Sequence, residues 1–294
     1  MARTNAREIY LTNEDRDQLA EVYGGVIEAI QKTALSEILK NKNYSGDPTT
    51  GSVEINRFVN STVQDQGTAR TAGAGNKLSN KGKVTVNIDT DKEIVEEFKK
   101  IDLRLHGAKG IAEKRKKNHI QRMSAYLDRE FFNEAETSGT EVTVTGDTIV
   151  KKLESLILSV EKTVNDYVDG VDRDLLVLTV TPDVYSAVEN YINETPNSLT
   201  GVTEEIFNKV RIYSNSRQTK DAICMLDEAI AQPVVTDEYD IEKIPLSNDL
   251  GLELFFSKGT KAITPDLIKF ADILESNGTS EDNTEETNTE NDGE

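Results

Sequence analysis

The chain has 294 residues, room for one elaborate domain or about two, and carries 34 Lys and Arg against 53 Asp and Glu, a formal net charge of −19. Eight of those acids lie in Glu275–Glu294, which has no Lys or Arg, and the remainder still stands at −11, so the overall field argues against a nucleic-acid binder. Lone Cys224 excludes an intramolecular disulfide, no run of about 18 apolar residues is present, and the opening MARTNAREIY lacks an apolar leader core; the expectation is a chain made in a reducing cytoplasm, with no membrane partner.

Residues 1–12 are a polar, slightly basic arm. Thr12 and Asp15 open a helix whose Leu19, Val22, Val26, Ile27, Ile30, Leu35 and Ile38 follow helical spacing to about Lys40. The loop-rich linker Asn41–Gly51 leaves open whether this helix docks on its own subunit or on a neighbour. Val53, Ile55 and Val59 then alternate with period two, as do Val84, Val86 and Ile88, predicting a hairpin. Between its arms, Asn60–Gly82 is polar and Gly-rich, with Val63 and Leu78 as its sizeable aliphatics. So long a loop builds no core of its own; it is a surface insertion, or a ribbon ordered by lying on another copy.

Thr90 and Glu93 match a capping box, and Ile94, Val95, Phe98 and Ile101 predict a short amphipathic helix ending near His106-Gly107. After Gly110 a second helix runs to about Glu136, with Ile120, Met123, Leu127 and Phe131 as its buried stripe. At roughly 28 residues it would be about 42 Å long, a strut. Its first half is basic, with Lys114, Arg115, Lys116, Lys117 and Arg122. Such a run is a solvated face, or it pairs with acidic surface on an adjacent subunit. Further on, Glu141–Thr145 reads as a strand, and Asp147 caps a helix through Ile149, Leu153, Leu156, Val160 and Val164. Leu175–Val180 is a buried strand, Thr181-Pro182-Asp183 starts a helix, and short strands at Val210–Tyr213 and Ala222–Leu226 complete an α/β unit. Beyond Pro233 come strands at Val234-Val235, Tyr239–Ile241 and Leu250–Phe256, with Ala262-Ile263 and Leu267–Phe270 expected to close the same sheet. From about Ser276 the composition fits a disordered acidic tail.

Catalytic and metal motifs are weak. Gly73-Ala-Gly75-Asn-Lys77 lacks the Gly-Lys-Ser/Thr ending of a phosphate loop, and the acids of Asp166–Asp174 miss the EF-hand spacing. His106 and His119 with one cysteine supply no three-ligand zinc site without carboxylates. His106 is expected at a helix end, His119 in solvent, and Cys224 in the core. No catalytic, cofactor or metal residue is assigned.

The succession GSVEINRFVNSTVQDQG, KVTVNIDTDKEIVEEF and IAEKRKKNHIQRMSAYLDREFF resembles the extended loop and spine helix of tailed-bacteriophage major capsid proteins, which have the Hong Kong 97 fold also found in encapsulin cages. The likeness continues through DLLVLTVTPDVYSAV and LGLELFFSKGTKAITPDLIKF. It implies an α+β fold divided as 1–50 N-terminal arm with helix, 51–90 extended β-hairpin loop, 91–146 peripheral domain with spine helix, 147–232 axial domain, 233–273 return strands of the peripheral domain and 274–294 tail. The implied partners are copies of itself in hexamers and pentamers, a separate scaffolding protein, portal and decoration proteins, and double-stranded DNA held by enclosure; the implied location is the virion, assembled in the host cytoplasm. Expected inter-subunit contacts are Val63, Lys77, Leu78, Lys81, Lys114, Arg115, Lys116, Lys117 and Arg122. Some capsids of this fold cross-link through a loop lysine; Lys77 and Lys81 lie in the matching region, but no partner Asn or acid is identifiable. The competing expectations are an encapsulin-type cage around a cargo enzyme and a monomeric ligand-binding α/β protein with a flexible insertion.

Overall fold

Residues 13–61, 63, 65–66, 82–194, 207–236, 240–244 and 249–274 are described by a computed structural model. Helix α1 (Asn13–Thr33) buries Leu19, Val22, Tyr23, Val26 and Ile30 on one face. That face packs on its own chain, against Ala108, Ile111, Ala112, Met123 and Leu127 of the long helix α3 (Lys100–Ser138). Gly25 of α1 faces Lys116 of α3, whose Nζ lies 2.5 Å from where a Cβ would stand. The expected single helix to Lys40 is broken: Ala34 is extended (φ −78, ψ 126) and α2 (Leu35–Leu39) starts anew. The Ser36 N–H there bonds the buried Asp128 carboxylate of α3 at 2.8 Å, which satisfies a helix-start donor from outside the helix.

Strands β1 (Ser52–Arg57) and β2 (Gly82–Asn87) form the expected antiparallel hairpin, with Val53 opposite Val86 and Ile55 opposite Val84. Val53, Ile55 and Val86 bury against Ala231 and Ile263, giving the ribbon a core at its base. The next segment corrects the reading. Thr90–Phe98 is strand β3, paired along its whole length with β11 (Leu250–Lys258), instead of a capped helix. Ile94 and Phe98 pack inward, and the residue between them on that face is Glu96, a charge that hides the period-two signal; long-range pairing then overrides local propensity. The sheet is completed by β9 (Val234–Thr236) and β10 (Asp240–Lys243), both beside β11.

The long helix extends further back than expected, to Lys100, with one break at Gly107 (φ 70, ψ 167), where a left-handed residue turns the chain. Its C-terminal half drives Phe131, Phe132 and Ala135 against a second sheet, of order β4-β13-β7-β5-β6. The strands are β4 (Thr140–Glu141), β5 (Leu176–Val180), β6 (Arg211–Ser214), β7 (Ala222–Leu226) and β13 (Ile268–Ala271). On the opposite face, α4 (Ile149–Glu161) and α5 (Pro182–Glu194) bury Leu153, Leu156, Ile157, Val160, Val184 and Val188. β5 is therefore covered on both sides, as its unbroken apolar run requires.

Four further expectations are corrected here. Leu267–Phe270 does not close the β11 sheet: β13 pairs with β7 and β4, and β12 (Lys261–Ala262) pairs with β8 (Ile230–Ala231). Thr148, not Asp147, caps α4, accepting from the Lys151 N–H, while Asp147 takes Lys151 Nζ at 2.7 Å. The strand at Glu141–Thr145 is regular only at its start, and α4 stops before Val164, which is exposed. No helix of the described residues is long and apolar enough to cross a membrane.

Candidate assembly surfaces

The ribbon is anchored at its root on two sides. Where β1 ends, Arg57 makes two parallel bonds to Asp266, Nη1 to Oδ1 at 2.6 Å and Nη2 to Oδ2 at 2.7 Å, a planar fork on a planar carboxylate. Asn165 adds a bond to the same carboxylate, and the guanidinium lies 4.1 Å from the Tyr167 ring centroid. The loop holding these side chains is an Asx turn, with Asn165 Oδ1 accepting from Tyr167 N and Val168 N, and the Asp166 carbonyl accepts from Asn60 N. The acid-rich stretch Asp166–Asp174 thus begins as the hairpin's seat, and no metal-ligand cluster occurs among the described residues. On the other side Gly259 is so close that a Cβ would meet the Asn87 carbonyl oxygen at 2.1 Å, and Lys261 Nζ donates to the Thr85 carbonyl.

Beyond the root, Phe58 is half-exposed at 49% and Val63 is 98% exposed. Lys77, Leu78 and Lys81, and the Gly73–Lys77 motif, lie outside the described residues.

On α3 the basic cluster divides. Arg115 forks onto Glu96, and Lys116 lies against Gly25 of α1, so both face their own chain. Lys114, Lys117 and Arg122 are exposed and make no ion pair with a described residue. His119 corrects its expectation: it is fully buried, Nε2 lying 3.3 Å from Glu96 Oε2. One turn after Arg115 it shares the face that meets the sheet. Burial pushes its pKa down, outweighing the pull of Glu96. Glu96 itself is held below the ordinary carboxylate value, chiefly by the Arg115 bonds. Cys224 is buried, and desolvation pushes its thiol up to about 12, leaving no thiolate for chemistry near neutrality.

Several tertiary anchors had no sequence signal. Asp128 joins α2 to Arg217 from the middle of α3, and Lys258, 3% exposed, pairs with Glu130 at 2.8 Å. Each pair links residues distant in sequence and carries no motif.

No family model matches the sequence, and a comparison with curated proteins finds no match. Solved structures do resemble it. The capsid structure of the cyanophage P-SCSP1u is similar at 12% identity and TM-score 0.59, over 94% of this chain and 93% of that one. The procapsid of satellite phage P4 is similar at 10% identity and TM-score 0.54, over 85% and 90%. A virus-like particle from Pyrococcus furiosus is similar at 13% identity and TM-score 0.55, over 88% of this chain and all of that one (100%). A latched hairpin, a broken long helix and two sheets in this arrangement, matched along nearly the whole chain, are the Hong Kong 97-type fold of tailed-phage capsid proteins.

Proposed function

We propose that this chain is the major capsid protein of a tailed bacteriophage, a structural subunit without catalytic role, which assembles through hexamers and pentamers into an icosahedral shell enclosing double-stranded DNA. The observation that carries the reading is the ribbon: firmly seated at its root, it presents Phe58 and Val63 to solvent, as a segment would whose partner is another subunit. The likeness to capsid structures over most of the chain supports the same reading. Each contact is weak alone, but a subunit held at several interfaces gains through effective concentration.

In this reading 1–50 is the arm, 51–90 the extended loop, 91–146 and 233–273 the peripheral domain, with β13 lent to the axial sheet, 147–232 the axial domain and 274–294 an acidic tail. Val63, Lys77, Leu78 and Lys81 belong to the loop's contact; of the basic cluster, Lys114, Lys117 and Arg122 are the ones left to face a neighbour. A separate scaffolding protein, a portal and decoration proteins are the further partners, with assembly in the host cytoplasm. A net charge of −19 keeps the shell from adhering to its genome; strong binding of free DNA by assembled shells at low salt would contradict that.

The test is electron microscopy of the purified protein, alone and with its neighbouring gene products, after sizing by light scattering. Shells, tubes or rings are expected, and a persistent monomer in both preparations refutes assembly. The likeness to the Pyrococcus particle, matched along its whole length, favours an encapsulin-type cage as the second reading. A co-purified cargo protein inside the shells would select it.

A further inference from the structure

The first turns of α3 carry an apolar pair that the described residues leave largely uncovered. Residues 100–106 are a short helical stretch before the break at Gly107, and the Asp102 carboxylate there accepts from the Lys99 N–H. Leu103 packs into the cluster that also holds Leu19 of α1. Ile101 and Leu105, four residues apart on the side turned away from Leu103, are 60% and 70% exposed. The chain before α1 carries a matching group. Ile9-Tyr10-Leu11 is the run of large apolar residues among residues 1–12, and residues 13–18, which follow Thr12, are all polar. A staple across the helix start would pair Leu11 with Arg16, so the first turns of α1 offer the triplet no apolar partner.

We propose that Ile9, Tyr10 and Leu11 of the same chain lie over Ile101 and Leu105 and strap the N-terminal arm to the start of α3. Position argues for this occupant. α1 and α3 run in the same direction, with Glu21 on Lys109 at 2.6 Å, Gly25 beside Lys116, and the Ser36 N–H on Asp128. Upstream of Glu21, α1 begins at Asn13, about 12 Å away along the helix. Upstream of Lys109 over the same number of residues come Leu105 and Ile101, and Leu103 holds that stretch against the α1–α3 cluster. A helix with its side chains is about 10 Å across, and residues 9–12 extended span about 13 Å, enough to pass from the start of α1 to the far side of the stretch. A tether this short gives the triplet an effective concentration of about millimolar, far above that of a second copy in dilute solution. The strap does not depend on the shell reading and adds to it: the arm leaves the subunit beside the start of α3, and the residues before Ile9 are the ones that can reach a neighbour.

Two experiments on full-length, unassembled protein test the strap. Tyr10→Cys with Leu105→Cys should form a disulfide within one chain under mild oxidation, read by mass spectrometry of non-reduced tryptic peptides. Cys224 is buried with its thiol pushed up to about 12, which keeps it out of the reaction. Tyr10→Cys with Val164→Cys, at a 69% exposed position on the loop after α4, is the control and should couple roughly tenfold more slowly. Separately, Ile101→Asp with Leu105→Asp should speed trypsin cleavage after Arg7 about tenfold, because cleavage follows the population of the open arm. All these positions on α3 are exposed, and circular dichroism and thermal melting check that each variant folds. A disulfide that joins two chains instead of closing within one assigns the pair to a second copy's arm and overturns the strap. Equal coupling in the test and control pairs, or trypsin cleavage within about twofold of the wild type, overturns it as well. Neither readout needs assembly, so a protein that forms no shells loses the shell reading and leaves this test standing.

Discussion

Arg57→Ala should free the hairpin without unfolding the subunit. The guanidinium makes two charge-assisted bonds to Asp266 and covers the Tyr167 ring, with 15% of the Arg57 and 26% of the Asp266 side chain exposed. Bonds to charged groups contribute about 1.5–3 kcal/mol, and a cation over a ring adds about 0.5–1; discounted for partial solvent screening, the loss is about 2–3 kcal/mol. That energy acts on the ribbon, whose other holds are the small cluster of Val53, Ile55 and Val86, the Lys261 bond to the Thr85 carbonyl and the Asn60 bond to the Asp166 carbonyl. Hydrogen exchange of the β1–β2 ladder amides in unassembled subunits should therefore speed up about 30- to 150-fold, while amides of β5 and β7 keep their protection. Arg57→Lys, which keeps the charge and loses the fork, should fall between. The latch also has a pH limit. Burial pushes the Asp266 carboxyl up, but the bonds from Arg57 and Asn165 and the nearby charge outweigh it and hold it below its ordinary value. A depressed carboxyl stabilises above its unfolded pKa of about 4 and loses that contribution as pH falls through the folded value, so the wild-type ladder should approach the variant's rates in acid. Ladder exchange in Arg57→Ala within twofold of wild type would refute the reasoning and leave the apolar cluster as the anchor.

His119, buried and with a lowered pKa, costs folded stability as pH drops from about 6.5 toward its folded value, because the unfolded chain takes up the proton first; His119→Gln should flatten the pH dependence of the urea midpoint there. Asp128→Ala removes the buried acceptor of Ser36 N and Arg217 and should lower stability by about 3 kcal/mol, read as a lower urea midpoint with unchanged slope. Val63→Asp, at a 98% exposed position, should move monomer stability by less than about 0.5 kcal/mol yet reduce shell yield in light scattering, and an unchanged yield removes Val63 from the interface.

What was legible in the sequence was whatever one period could express. The α1 stripe and the alternation of Val53 and Ile55 with Val84 and Val86 stand in the structure where their patterns put them, and the Leu175–Val180 run does so from Leu176 on, Leu175 being half-exposed in the turn before it. The failures share a cause. Ala34 breaks a helix because a carboxylate 92 residues away accepts the Ser36 N–H. Arg57 finds Asp266 across 209 residues, and no local pattern announces such a partner.

The misreading of Thr90–Phe98 matters most for function. Read as a helix, Asp91, Glu93, Val95 and Glu97 scatter around a cylinder and look like ordinary solvation. Read as the strand it is, they align on one face, because Glu96 has turned inward to meet Arg115 and His119. One inward glutamate both hid the strand from the sequence and engaged Arg115 and His119 of α3. The charge signal was present from the start, in the basic run of the helix and the acidic excess of the rest. Which acids of β3 pair within the chain and which face solvent follows from the register of β3 on β11, and that register is a property of the fold.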